Sequence, residues 1–240
     1  MGRVKIAKKS TFIDMTAMSD VTVLLLTFFM LTSTFLQKEP VTVVTPASVS
    51  EEKVQETNVV QVLVSPKGQV WLSMVNDTSQ VWSNDSMRME VLVKAAQIYN
   101  DQRHPKVPLE FSKDQQKAFS KLSTFGVPLV QMGEFLDLAK TQEGITKMDQ
   151  WLAGEDNDAN HISGIPIDDG RGKENEFQIW MRAMRQTSNE NLKQAIKEGS
   201  GVAIKADKNT SYEDVYRVMD NLVTIKMNKF TLLTALKALE

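Results

Sequence analysis

Residues 21–36 (VTVLLLTFFMLTSTFL) carry no charge, and a carboxylate, Asp20, stands directly in front of them. This is the only stretch of the 240-residue chain that can enter a bilayer; the residues after it read as ordinary water-soluble sequence. Sixteen residues at 1.5 Å of rise reach about 24 Å, short of a hydrocarbon core about 30 Å thick. Extending the helix back through 12–19 closes the gap and places Asp20 inside it, toward the N-terminal end. A carboxylate at the centre of a spanning helix costs on the order of 2.5–3.5 kcal/mol, so it is a functional candidate by default. It is tolerated when it carries a proton or faces a partner's polar cavity. Both escapes point to proton-coupled work and away from passive anchoring.

A cleaved signal peptide is the rival reading of the same stretch. Against it, no A-x-A-like site comes after Leu36, where the chain continues Gln37-Lys38-Glu39-Pro40, and an acidic residue would open the apolar region. An uncleaved anchor is therefore expected. Arg3, Lys5, Lys8 and Lys9 precede the span with Asp14 in partial opposition, which predicts a cytoplasmic N-terminus and a C-terminal region across the membrane.

The polar residues of the span are not scattered. Thr16, Asp20, Thr27 and Thr34 have spacings of four, seven and seven, which return them to one helical face. That face is expected to meet protein or water. Thr22 and Thr32 are read as hydroxyls bonded back to their own helix.

Composition limits the rest. A net charge of −2 provides no basic field for nucleic acid and no acidic tail. The absence of cysteine rules out disulfides, thiol catalysis and cysteine metal sites. Strings that suggest other chemistry fail on their spacing. Asp156-Asn157-Asp158-Ala159-Asn160 begins like a calcium loop, but His161 stands where glycine is needed and Ile167 replaces the closing glutamate. Gly170-Arg171-Gly172-Lys173 lacks the phosphate-loop frame. His104 and His161 lie in polar, turn-rich segments without partner ligands and are read as surface histidines. No enzyme active site, cofactor site or metal site is expected.

The segment 12–35, FIDMTAMSDVTVLLLTFFMLTSTF, resembles the membrane signature of the ExbD/TolR family of biopolymer-transport subunits. That signature runs Asn/Asp-x-Thr-Pro-x-x-Asp, then V-x-x-x-L-L-x-F-F-M. Asp14, Thr16 and Asp20 occupy its polar positions, and Ala17 stands where the family has proline. The segment 202–234 is similar to the family's closing strand–helix–strand unit. Physically, 202–206 is a strand, Ser211 an N-cap with Asp214 three residues on, and 229–234 a second strand. Val215, Val218, Met219 and Leu222 form the helix's buried stripe. Two strands joined by a helical crossover should lie parallel.

The expected organisation is α+β: a cytoplasmic N-terminus 1–11, a single transmembrane helix 12–36, a flexible linker 37–57 and a periplasmic α+β domain 58–240. Within the linker, 41–44 is β-prone and able to add to a sheet edge. In the domain, 59–64 and 69–74 flank a Ser65-Pro66-Lys67-Gly68 turn as a hairpin. A helical insertion at about 75–171 should carry helices near 87–99, 113–121, 129–140 and 146–152. A further helix at 174–186 places Phe177, Trp180, Met181 and Met184 on one face, read as core packing.

The resemblance implies a motor subunit and no enzyme. An ExbD-like chain, as a homodimer, would sit inside a ring of ExbB-like membrane subunits, use the proton-motive force and energise a TonB-like protein, with peptidoglycan a further candidate partner. Asp20 would be the proton carrier, supported by Asp14, Thr16, Thr27 and Thr34. The alternatives are a TolR-like subunit of a cell-envelope constriction system and a non-motor, signal-anchored envelope-binding protein.

Overall fold

β-branched and aromatic residues dominate the runs VVQVLV and VWLSMV, and both form strands, β2 (Val59–Val64) and β3 (Val70–Val75). They pair antiparallel, from Val59 opposite Val75 to Val64 opposite Val70. In the turn between them Gly68 donates its N–H to the Ser65 carbonyl at 3.0 Å. Gly68 adopts φ +74°, and a Cβ there would lie 2.9 Å from the Asp214 carboxyl carbon. Only glycine meets both demands.

The structure is a computed structural model and describes residues 15–32, 40–41, 43–48, 58–75, 84–156, 158–169 and 172–236. The chain divides into two units, residues 1–38 and residues 39–240. The first unit contributes helix α1 (Met15–Thr32). The second is a mixed α+β body around a five-stranded sheet.

That sheet has the order β4-β3-β2-β5-β6, with β4 at Thr124–Phe125, β5 at Val202–Ala206 and β6 at Thr231–Leu232. β2 pairs parallel with β5, and β5 parallel with β6. Between β5 and β6 runs helix α8 (Tyr212–Thr224), so the expected parallel strand–helix–strand unit is present and shares one sheet with the hairpin. Ser211 caps α8: its hydroxyl accepts the Asp214 N–H at 3.1 Å and donates to the Asp214 carboxylate at 2.7 Å. Both faces of β2 are buried, as for a central strand with structure on either side. The last strand is shorter than the expected 229–234, because only two residues of β6 register against β5.

The remaining helices are α2 (Asn84–Arg103), α3 (Lys113–Ser120), α4 (Met132–Asp137), α5 (Gln142–Ala153), α6 (Glu176–Arg185) and α7 (Glu190–Glu198). The expected helix 129–140 is broken. Residues 128–131 form a turn closed by the Gln131 N–H on the Pro128 carbonyl at 2.9 Å, and Leu138–Lys140 tighten into a 3-10 turn. The helix therefore begins at Met132, three residues later than expected. Among the elements outside the sequence expectation are α7, capped by Asn189 and ended by Gly199 at φ +101°, and the two-residue β4.

Part of the expected tether is docked. Val43 is buried, the Val44 N–H donates to Asp207 Oδ2 at 2.8 Å, and the Lys208 N–H donates to the Val44 carbonyl at 2.8 Å. Strand β1 (Ala47–Ser48) then pairs parallel with β7 (Ala235–Leu236), just beyond the β-prone run singled out from the sequence.

The core centres on α6. Phe177, Trp180, Met181 and Met184 are fully buried, as their shared face predicts. Trp180 stacks on Phe119 with ring centroids 5.7 Å apart and meets Phe125 at 4.7 Å. A second, polar seam joins α6 to α8: Asn175 Nδ2 donates to Asn221 Oδ1 at 2.7 Å, and Asn221 Nδ2 donates to the Asp168 carbonyl at 2.8 Å. Buried amides of this kind are tolerated because each finds a partner. Arg88 works similarly, reaching the Ser120 carbonyl at 3.0 Å and the Met74 carbonyl at 2.8 Å. Burial, opposed by the charge of Asp85, lowers its pKa.

Candidate functional site on helix α1

Helix α1 (MTAMSDVTVLLLTFFMLT) has 18 residues, a length of about 27 Å at 1.5 Å per residue. Its first turn has no acidic residue and its last turn no basic one. Among the described residues no helix is long and apolar enough to cross a membrane. Residues 12–14 and 33–36, which the expected span adds, lie outside the described residues, and so do Asp14 and Thr34.

The described part of the polar face is in place. At 100° per residue, Thr16, Asp20 and Thr27 fall within about 40° of one another around the axis. Asp20 and Thr16 line a shallow open groove together with Ser19 and Val23. Ser19 and Val23 were not singled out from the sequence, although their positions one before and three after Asp20 mark them as its neighbours. Among the described residues the Asp20 side chain makes no hydrogen bond or ion pair, so no described group compensates its carboxylate.

The hydroxyls divide differently from the expectation. Thr22 donates to the Met18 carbonyl at 2.8 Å, as read from the sequence. Thr27, assigned to the outward polar face, also donates back, to the Leu24 carbonyl at 2.9 Å. A threonine hydroxyl in a helix finds the carbonyl one turn behind when nothing else is offered. Thr27 therefore presents its methyl group and an already engaged oxygen.

Around the rest of α1 the apolar side chains are open. Leu24, Leu25, Leu26, Phe28, Phe29 and Met30 are each 51–70% exposed. A helix that is apolar on every side belongs either in a protein core or in lipid. Asp20 is the carboxylate of α1, and chemically it can hold one proton and release it.

In the second unit, His161 departs from the surface reading. Its ring lies flat on Trp151, centroids 3.6 Å apart and planes 8° apart, with Nδ1 2.5 Å from Asp156 Oδ2. Glu134 and Asp158 each approach Nε2 at 3.7 Å. Burial pushes the imidazole pKa down, but the Asp156 hydrogen bond and the charges of Asp158 and Asp156 outweigh it and hold the pKa above its ordinary value. The run 156–161 supplied two of these carboxylates in plain view, but Trp151 and Glu134 come from other elements. His104 is exposed, as expected. Among the described residues no group of three or more His, Cys, Asp or Glu is arranged to hold a metal ion.

The sequence model of the biopolymer transport protein ExbD/TolR family matches residues 7–124 and 144–237. No curated protein and no solved structure gives a significant match to the chain. The match covers α1 with its carboxylate, the hairpin and the closing strand–helix–strand unit, and between its two segments it leaves out 125–143. With most of its length matched, the chain belongs to the ExbD/TolR family of biopolymer transport proteins, whose members are anchored in the inner membrane and work with membrane partners in a complex.

Proposed function

We propose that the chain is an ExbD-like subunit of an inner-membrane motor driven by the proton-motive force, with Asp20 as the proton carrier. The observation that carries this reading is Asp20 itself: a carboxylate without a partner among the described residues, on an 18-residue helix whose apolar side chains point outward on all sides. Such a helix needs an apolar surround, and its carboxylate then needs either a proton or an external polar partner.

The span expected from the sequence, 12–36, has 25 residues and would measure about 37 Å as a helix, enough to cross with tilt. Within a ring of ExbB-like subunits the ionised carboxylate prefers polar positions, while the protonated one accepts an apolar wall. Alternating the two states biases rotation or tilt of the helix. One charge moved through 100 mV is worth about 2.3 kcal/mol, several times thermal energy. The soluble body, as a dimer outside the cytoplasm, would pass this motion to a TonB-like client without covalent chemistry.

The test is energised outer-membrane uptake in a strain that depends on this chain. Asp20→Asn keeps size and polarity but cannot titrate, so it should assemble with its membrane partners at wild-type level and reduce uptake to background. Thr16→Val should weaken uptake without abolishing it, since a membrane hydrogen bond is worth only about 0.6 kcal/mol. Uptake at wild-type rate in the Asp20→Asn strain sinks the proposal. Loss of envelope integrity with uptake intact would instead identify a TolR-like client. Topology is tested separately, with a reporter fused after Glu240: activity restricted to the cytoplasm would overturn the assigned orientation, which rests on Arg3, Lys5, Lys8 and Lys9.

A further inference from the structure

Helices α3 and α5, with α4 and the 3-10 turn behind them, enclose a cleft of about 410 Å³ that no part of the motor reading uses. This volume lies within the range of small-molecule sites, about 300–1,000 Å³. Its floor is apolar: Leu122, Leu136, Ala139, Met148 and Leu152. At the mouth Ile145 remains 43% exposed, apolar surface that an occupant would take out of water.

The polar groups sit at the rim, and they are asymmetric. Lys117 and Lys121 stand one helical turn apart on the α3 side, and neither has an ion-pair partner among the described residues. Lys140, also at the rim, is already engaged by Asp137 at 2.8 Å. Asp149 lies on the α5 side and Asp114 one turn before Lys117. An anionic group is therefore attracted to Lys117 and Lys121 and repelled from the α5 side, which fixes its orientation over the apolar floor. The cleft is also built partly from 132–140, within the 125–143 segment that the family match leaves out, so its chemistry need not be that of the shared motor.

We propose that this cleft binds a free medium-chain fatty acid, the acyl chain on the apolar floor and the carboxylate at Lys117 and Lys121. The occupant is an amphiphile because the site pairs an apolar trough with two cations at one end that no described carboxylate engages. It is a small molecule because the volume of the cleft matches one.

The experiment uses the full chain in lipid nanodiscs, photolabelled with a diazirine derivative of decanoic acid and mapped by peptide mass spectrometry. Labels are expected on α3 and α5, between residues 117 and 152, and excess unlabelled decanoate should remove them. The surface double variant Lys117→Glu/Lys121→Glu should weaken this labelling about tenfold, equivalent to about 1.4 kcal/mol. Its thermal unfolding should match wild type, because both side chains are exposed. Labelling confined to α1, or cleft labelling equal in wild type and double variant, overturns the proposal. Competition by decanol as strong as by decanoate overturns the assignment of the carboxylate, and protection by an acidic amphipathic peptide but not by decanoate makes the cleft a peptide groove and overturns the fatty-acid site. A single substitution on the floor, Ala139→Trp, supplies an independent check: it should block labelling while the lysines remain.

Discussion

Helix α1 and helix α6 use similar residues to opposite ends. In α6, Phe177, Trp180, Met181 and Met184 are fully buried; in α1, Phe28, Phe29 and Met30 are 59–70% exposed. The difference lies in patterning. Helix α6 keeps a partly exposed polar strip at Arg182 and Arg185 beside a wide buried face and opens with a capping box at Asn175 and Gln178. Helix α1 spreads exposed apolar side chains around its circumference and has no charged residue in its first or last turn; its polar groups are Asp20 and a few hydroxyls. Polar groups divide in the same way. In the second unit buried amides and Arg88 are tied by several hydrogen bonds, whereas Asp20 has no partner among the described residues. One region ties its polar groups into the packing, and the other leaves its carboxylate unengaged among the described residues.

The strongest way to break this comparison is to truncate an aromatic residue in each helix. Trp180→Ala should cost the soluble body about 3–5 kcal/mol, the usual range for deleting a buried aromatic side chain. Phe29→Ala should leave the thermal midpoint of that body unchanged. Equal loss in both variants would show that α1 is part of the same cooperative core. Trp180→Phe sharpens the point, because the Trp180 indole N–H has no hydrogen-bond partner among the described residues. Its removal offsets part of the lost packing, so this variant should lose far less than the alanine, as measured by denaturant unfolding.

A smaller effect is expected at the polar seam. Asn221→Ala removes the partner of Asn175 and the contact to Asp168, leaving a buried amide with fewer acceptors. The expected cost is about 1–3 kcal/mol. A neutral result would mean that water replaces the amide, and the seam between α6 and α8 would then not be dry.

The smallest effect concerns His161 in the second unit. Its folded pKa is raised, so its contribution to stability is complete below its unfolded value near 6.5 and is lost as pH rises through the folded value. Thermal midpoints measured from about pH 5 to about pH 9 should therefore decline on the alkaline side in wild type. His161→Gln should flatten that part of the profile. A steeper alkaline decline in the variant would reverse the assigned direction.

Much of this was legible in the chain itself. The hairpin at Gly68, the capped helix after Ser211, the parallel β5–α8–β6 unit and the α6 core face all come from local rules of turn chemistry, capping and periodicity. Helix α7 was legible too, with Asn189 ahead of it and Gly199 after it, but its short apolar stripe of Leu192, Ala195 and Ile196 is easily passed over. Strand β4 has only two residues and no period of its own; it exists because β3 offers a free edge to Thr124 and Phe125.

By itself the sequence determined the position of Asp20 on the apolar helix and its common face with Thr16 and Thr27, because helical spacing is a property of neighbours along the chain. Only the tertiary structure decided the rest. It docked Val43 and Val44 against the turn at Asp207, stacked His161 on Trp151 within reach of Glu134, and closed three helices around the cleft above Leu136. Each of these arrangements depends on groups from separate elements, brought together by burial of apolar surface that no local pattern encodes.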